Sequence, residues 1–377
     1  MAQRILFLFS DTGGGHRAST NAIIEALEEQ CPGRFDAQMV DFLADYAPPP
    51  LSRSSQIYRG VSRTKLIWAG SYRASNGPRR SKALNQVTYP YLSRSVKRLL
   101  AENQADLIVS VHPLANGLIP RAMRRQPVPF VTVVTDMVTT HATWYSPAAD
   151  LILVPTVEAR NRGIRFGIDQ AKLRVVGQPV ATSFATLTTP KAQLRAELGW
   201  PADQVVVLLV GGGDGMGPLR RVTHALNEAA PPISLVVVAG RNESVRRDLE
   251  GLNWRIPHQV CGFTDQMARL MHAADIFVTK AGPGSISEAF ICGLPIVMYA
   301  CLPGQETGNV DYVLDGQAGR WTPQSKAVVE AITELATDAT VRAEMSAASL
   351  ALARPNAARD IARILAEQLD QTEAPAS

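Results

Sequence analysis

The 377 residues are 46% apolar and 19% charged, an ordinary globular balance, and the length suits two domains with separate cores. No repeat with a period of ~20–50 residues occurs, which argues against a solenoid or propeller. The net charge of +4 comes from one segment: Tyr46 to Ala101 holds eleven Lys or Arg and no Asp or Glu, leaving 27 basic against 34 acidic residues elsewhere, so this segment is expected to meet something anionic.

The chain opens on a short apolar run, Ile5–Phe9, that enters a Gly-rich turn; this is a strand rather than a signal peptide. No apolar run reaches the ~18–20 residues of a membrane-spanning helix, so any membrane contact is expected to be peripheral. Cys31, Cys261, Cys292 and Cys301 have no metal-ligand spacing and read as reduced thiols of a cytoplasmic protein. Strands are predicted at Arg4–Phe9, Ala37–Phe42, Leu107–Val111, Phe130–Thr135, Leu151–Val154 and Leu173–Val176, with helices such as Ala18–Gln30 and Tyr91–Asn103 between them. After a turn-rich stretch, Gly177–Pro190, the alternation restarts. Strands are predicted at Val205–Val210, Ser234–Ala239, Gln259–Val260, Ile276–Thr279 and Ile296–Tyr299. The helices expected there are Leu219–Glu228, Glu243–Leu252, Asp265–Ala273, Ser285–Cys292 and Val310–Leu314, and the tail from Ala327 to Leu369 also reads as helical. The pattern predicts an α/β protein of two doubly wound, Rossmann-like parallel-sheet domains, residues 1–180 and 181–377, facing across a cleft.

Four loops carry chemistry. In Ser10-Asp11-Thr12-Gly13-Gly14-Gly15-His16 the glycines permit a sharp turn, and His16 at a helix N-terminus is held neutral, as a general base requires. The same residues also suit a plain tight turn with a capping histidine. Gly211-Gly212-Gly213-Asp214-Gly215 is a second Gly-rich turn, without the Lys of a Walker loop. Lys280-Ala281-Gly282-Pro283-Gly284-Ser285 leads from a buried strand into a helix whose free N–H groups suit a diphosphate, and Glu288, one turn in, can accept ribose hydroxyls. Ser285 and Glu288 equally satisfy a capping box. Pro303-Gly304-Gln305-Glu306-Thr307-Gly308-Asn309 offers donors and acceptors to a hexose, or is an exposed polar loop. No Asp-x-Asp occurs; a leaving diphosphate is expected to be neutralised by helix dipoles and backbone donors, with no metal and no cofactor.

Taken together, SDTGGGHRAS (10–19), VTDMVTTHATWY (134–145), KAGPGSISEAFICGLPIV (280–297) and PGQETGNVDYV (303–313) resemble the family of monogalactosyldiacylglycerol synthases and processive diacylglycerol glucosyltransferases, over roughly Arg4 to Leu350. The resemblance implies a GT-B fold and metal-independent, inverting transfer of a hexose from UDP-galactose or UDP-glucose, galactose favoured, to diacylglycerol. It implies that His16 is the catalytic base; a carboxylate such as Asp136 or Asp11 is expected to orient it. Asp136, His141 and Trp144 match the family's motif near the acceptor side. For the donor it implies Ser285 at a phosphate, Phe263 at the uracil, Glu288 at the ribose, and Gln305, Glu306 and Asn309 at the sugar; the turn glycines Gly14, Gly15, Gly212, Gly213, Gly282 and Gly284 are expected, from their turns, to line the donor site as well. The chain has no long N-terminal extension like that of the plastid enzymes, so no transit peptide is implied. The alternatives are a polyprenyl-linked cell-wall N-acetylglucosaminyltransferase, a UDP-sugar 2-epimerase, and a non-catalytic sensor of UDP-sugars.

In the basic segment, about residues 48–101, Arg59, Arg63 and Lys65 are interleaved with Trp68 and Tyr72. That pattern suits an anionic membrane surface on the cytoplasmic side; it also suits a single nucleic-acid strand, which is not expected because no nucleic-acid motif accompanies it.

Overall fold

The computed structural model describes residues 2–11, 14–62, 64–124, 128–213, 215 and 217–373. The chain divides into two compact units, Met1–Thr182 with Leu302–Gln305 and Asn356–Ser377, and Ser183–Cys301 with Glu306–Pro355.

The first unit is built on six parallel strands: β1 (Gln3–Phe9), β2 (Phe35–Asp41), β3 (Leu107–Ser110), β4 (Phe130–Val133), β5 (Leu151–Val154) and β6 (Leu173–Val175). Their spatial order is β2-β1-β3-β4-β5-β6. Every residue of β3, β4 and β5 is buried, as the continuous apolar runs require of strands covered on both faces. From β1 the chain goes to one side, to β2, and then returns to β3 on the other. The carboxyl ends of β1 and β3 therefore flank a topological switch point, where sheets of this kind place ligands.

The second unit repeats the plan with β7 (Val205–Val210), β8 (Ile233–Val238), β9 (His258–Cys261), β10 (Ile276–Lys280), β11 (Ile296–Ala300) and β12 (Gly319–Trp321), ordered β12-β11-β10-β7-β8-β9. Its switch point lies between β7 and β10. β12 was not anticipated: three residues, Gly319, Arg320 and Trp321, pair with Ile296–Met298, too short a run for an alternation pattern to register.

The expectation that residues 181–377 form one unbroken domain is corrected at two places. Residues 302–305 and the last helix, Ala357–Glu373, belong to the first unit. Ile361, Leu365 and Leu369 recur every four residues and pack with Ile23, Leu27 and the β1 residues Ile5 and Phe7. Each fully buried aliphatic side chain contributes about 1.5–3 kcal/mol. Periodicity shows that such a helix has an apolar stripe but not which sheet the stripe covers.

The basic segment folds into three helices, Ser54–Ser62, Lys65–Ser75 and Pro78–Glu102. The third starts thirteen residues before the predicted Tyr91 and runs through Pro90. Pro90 is exposed, so the carbonyl one turn earlier, deprived of its N–H, can turn to water, while Leu92, Val96 and Leu99 fix the helix on the core.

Candidate active site

In the first unit, three neighbouring strands deliver the groups around His16. Gly14 follows β1 with φ 78° and starts the helix Gly15–Gln30. A side chain at Gly14 would meet nothing within 4 Å, so its left-handed backbone is what favours glycine there. Gly15 is the first helical residue and His16 the second. The imidazole Nδ1 lies 2.9 Å from the Thr135 hydroxyl, just past β4. The ring of His112, just past β3, meets the His16 ring edge-on at 4.9 Å, and the Trp144 ring lies at 5.9 Å. Burial lowers the His16 pKa to about 4, against weaker opposing effects from the Val111 carbonyl and the carboxylates of Asp11 and Asp41. The imidazole is therefore neutral at physiological pH.

The expected carboxylate partner of His16 is corrected. Asp136 is buried and accepts the Trp144 indole N–H at 2.7 Å and the Gln305 amide N–H at 2.9 Å. Asp11 pairs with Arg17 at 3.2 Å on the surface. Asp41, which the sequence did not single out, accepts the Asp11 backbone N–H at 2.9 Å and the Ala44 N–H at 3.0 Å, and so sets the path of the His16 loop. Thr12 and Gly13 lie outside the described residues.

Three residues assigned to acceptor or membrane contact are interior. Trp144 is fully buried. His141 is buried between the hydroxyls of Thr143 (2.7 Å) and Ser75 (3.1 Å), and burial, aided by Arg162, lowers its pKa to about 4. Tyr72 is buried, donates its hydroxyl to the Thr139 carbonyl, and lies 5.0 Å from the His141 ring. A Cβ at Gly304, φ 89°, would come within 3.0 Å of the Tyr72 ring, so Tyr72 seats the loop that ends at Gln305. Trp68 is half-buried against Tyr58 and Tyr72. The cause is helical spacing: 68, 72 and 75 share the stripe facing the protein, while Leu66 (87% exposed) and Ile67 (59%) face outward. Arg63 and the side chains of Arg59 and Lys65 lie outside the described residues.

In the second unit, the Gly-rich turn after β7 needs Gly212, Gly215 and Gly217 at positive φ. Gly240, after β8, is packed so closely that a Cβ would lie 2.5 Å from the Gly213 carbonyl. The β10–β11 register shifts between Thr279 and Lys280, a device that re-aims a side chain. The Lys280 ammonium contacts the Glu306 carboxylate at 2.7 Å; a Cβ on Gly282 would lie 3.1 Å from that ammonium, and one on Gly212 3.5 Å from the Lys280 Cε. One cation thus stands between both glycine turns, a residue that sequence reasoning left out of the site.

The helix after β10 begins at Pro283 with Gly282 as its cap, and no side chain caps it. The Ser285–Glu288 capping box does not form; both residues lie inside the helix. Gly284 and Ser285 are part-exposed in its first turn, where backbone N–H groups remain free. Glu288 is half-buried, and burial raises its pKa to about 7. Phe263, 58% exposed, carries the Arg241 guanidinium 4.3 Å above its ring. β9 and β10 are three strand spacings apart, about 14 Å, a span suited to a base at one end and phosphates at the other.

The hexose loop is divided. Gln305 sits with Asp136 in the first unit, and Glu306 sits with Lys280 in the second. Asn309 is buried, its amide N–H on the Ala281 carbonyl at 2.9 Å and its Oδ1 without a hydrogen-bond partner.

A family model described as monogalactosyldiacylglycerol (MGDG) synthase matches residues 16–180, and one described as the glycosyltransferase family 28 C-terminal domain matches 206–363. The chain is 35% identical to a probable chloroplastic monogalactosyldiacylglycerol synthase of Glycine max, covering 98% of this chain and 72% of that one. It is 34% identical to monogalactosyldiacylglycerol synthase 1 of Arabidopsis thaliana, over 94% and 69%. Among solved structures it is similar to MurG of Acinetobacter baumannii, with a TM-score of 0.62 at 16% identity over 97% of this chain and 99% of that one. At that identity the likeness is one of fold, and the fold is GT-B.

Proposed function

The chain belongs to the monogalactosyldiacylglycerol synthase family, and from that premise we propose that it transfers galactose from UDP-galactose to the free hydroxyl of a diacylglycerol, with inversion at the anomeric carbon. The observation that carries the chemistry is the neutral imidazole of His16 at the first switch point. His16 takes the proton from the glycerol hydroxyl as its oxygen bonds to the anomeric carbon. The bond from that carbon to the diphosphate breaks, and the diphosphate leaves with the electron pair. In the second unit the turn at Gly282–Ser285 and the Lys280 ammonium bear that charge, the role a divalent cation plays in other transferases. Phe263 and Arg241 flank the uracil, and Glu288 accepts the ribose hydroxyls.

Incubating the protein with UDP-galactose or UDP-glucose and diacylglycerol in anionic vesicles tests this directly. A β-galactosyl diacylglycerol, identified by mass and by the anomeric proton coupling, is the expected product. A preference for glucose, an α-linked product, or no glycolipid overturns the proposal, the last outcome favouring a sensor.

Glu288 adds a pH dependence. Its raised pKa leaves it largely protonated below about pH 7, whereas the ribose diol needs a carboxylate acceptor. UDP affinity measured by calorimetry is therefore expected to rise between pH 6 and 8, and Glu288→Gln to weaken binding and flatten the profile. A profile that stays steep in the variant removes Glu288 from this role.

The protein binds the cytoplasmic face of a membrane peripherally; no helix among the described residues is long and apolar enough to cross one. The contact is the basic segment, with Leu66 and Ile67 entering the interface in place of Trp68 and Tyr72. Burying two aliphatic side chains is worth about 3–6 kcal/mol. Leu66→Glu with Ile67→Glu is expected to lower sedimentation with anionic vesicles at least about tenfold while sparing transfer to detergent-dispersed diacylglycerol. Unchanged vesicle binding would move the contact elsewhere.

A further inference from the structure

We propose that Thr135 is the positioning residue for His16, its hydroxyl accepting the proton on Nδ1 so that the lone pair of Nε2 is left for the acceptor alcohol. The proposal rests on the assignment of His16 as the base.

A neutral imidazole carries one N–H, and whichever group accepts it decides which nitrogen can act as a base. The Thr135 hydroxyl is 2.9 Å from Nδ1 and is itself buried, two residues beyond the end of β4. The carboxylates nearby are engaged elsewhere: Asp11 with Arg17, Asp41 with two backbone N–H groups, Asp136 with Trp144 and Gln305. The other groups facing the ring are His112 and Trp144, edge-on and tilted, and the Val111 carbonyl, which can only accept from the ring and so competes with the Thr135 hydroxyl for its one proton. Arg17, next on the same helix, lies over the Phe9 ring and pairs with Asp11.

A hydroxyl in this position differs from a carboxylate in one consequence. It fixes the tautomer without placing a negative charge against the ring, so the resting imidazole stays neutral. When the alcohol proton arrives on Nε2, both ring nitrogens carry protons and Nδ1–H remains on the Thr135 oxygen. The proton then leaves Nε2 for water.

The test compares Thr135→Val, nearly the same shape without the hydroxyl, with Thr135→Ser, which keeps it. Thr135→Val is expected to lower kcat about tenfold or more, with KM for UDP-galactose and UDP affinity within twofold of wild type; Thr135→Ser is expected to restore most of the loss. Equal losses in both variants would show a packing effect and overturn the proposal, as would full kcat in Thr135→Val. His16→Ala run in parallel separates the two levels: if it stays active the base assignment fails, and if it is inactive while Thr135→Val is not, only the role of Thr135 fails. A readout independent of turnover is the ¹⁵N spectrum of the imidazoles in the substrate-free full-length protein. The His16 proton is expected on Nδ1 in wild type, with that preference lost in Thr135→Val. A wild-type proton on Nε2 overturns the proposal.

Discussion

His16→Ala is expected to lower kcat about 10³-fold while leaving UDP affinity within about threefold, because a positioned general base is commonly worth 10²–10⁴ and the residues proposed to hold the diphosphate belong to the other unit. The imidazole has the two properties this work needs. It is neutral, because burial outweighs the Val111 carbonyl and two carboxylates, and it is oriented, because Nδ1 meets Thr135. The pH profile follows from the sign of the shift. A base with its pKa lowered to about 4 loses its lone pair only at low pH, so the acid limb of kcat is expected well below the 6.5 of an ordinary histidine. Stability moves in the same direction. His16, His112 and His141 are all depressed by burial, so between their folded values and about 6.5 the unfolded chain binds more protons. Their stabilising contribution is fully present above about pH 6.5 and is lost as the pH falls toward 4. Steady-state kinetics with both substrates saturating checks the first part and thermal unfolding from pH 8 to 4 the second. A His16→Ala enzyme within threefold of wild-type kcat would remove His16 from the chemistry.

Lys280→Met is expected to weaken UDP binding about 10- to 100-fold and to destabilise the second unit by about 3 kcal/mol. The two effects have separate causes. Glu306 has a side chain only 4% exposed and Lys280 one only 23% exposed, so removing the ammonium takes the neutralising cation from a carboxylate with little access to water. Losing one partner of a buried pair costs about 3–5 kcal/mol, and the lower end applies because Lys280 retains some solvent. Adding Glu306→Gln removes the buried negative charge and is expected to recover most of the stability. It does not return a cation to the diphosphate, so UDP affinity is expected to stay low. Calorimetry with UDP and thermal unfolding of the single and double variants check this. A Lys280→Met protein that binds UDP like wild type would place the diphosphate away from Lys280.

Much of the fold was legible because its determinants are local. Val205–Val210 and Leu151–Val154 are continuous apolar runs between turn residues, which only a strand covered on both faces explains. His16 and the Gly282–Ser285 turn were legible because a glycine turn between a strand and a helix puts whatever follows it at the positive end of that helix. Helix boundaries were less so. The start at Pro283 was misplaced by two residues because Ser285 and Glu288 imitate a capping box, although proline at the first helical position is the stronger start signal.

Other features arise from residues distant in sequence that only folding brings into contact. His16 and Thr135 are separated by 119 residues, and Asp136 and Gln305 by 169; no local pattern announces either pair. Trp68, Tyr72, His141 and Trp144 have the composition of an acceptor or membrane surface, yet the packing of the helix Lys65–Ser75 turns Tyr72 inward and leaves Leu66 and Ile67 outside. By itself the sequence determined two parallel sheets, their glycine turns and the histidine at the first of them, because backbone conformation and strand burial depend on neighbours along the chain. Only the tertiary structure decided which oxygen holds that histidine, which cation stands between the second unit's glycine turns, and which sheet the final helix covers, because these depend on through-space contact and on the loss of water around buried charge.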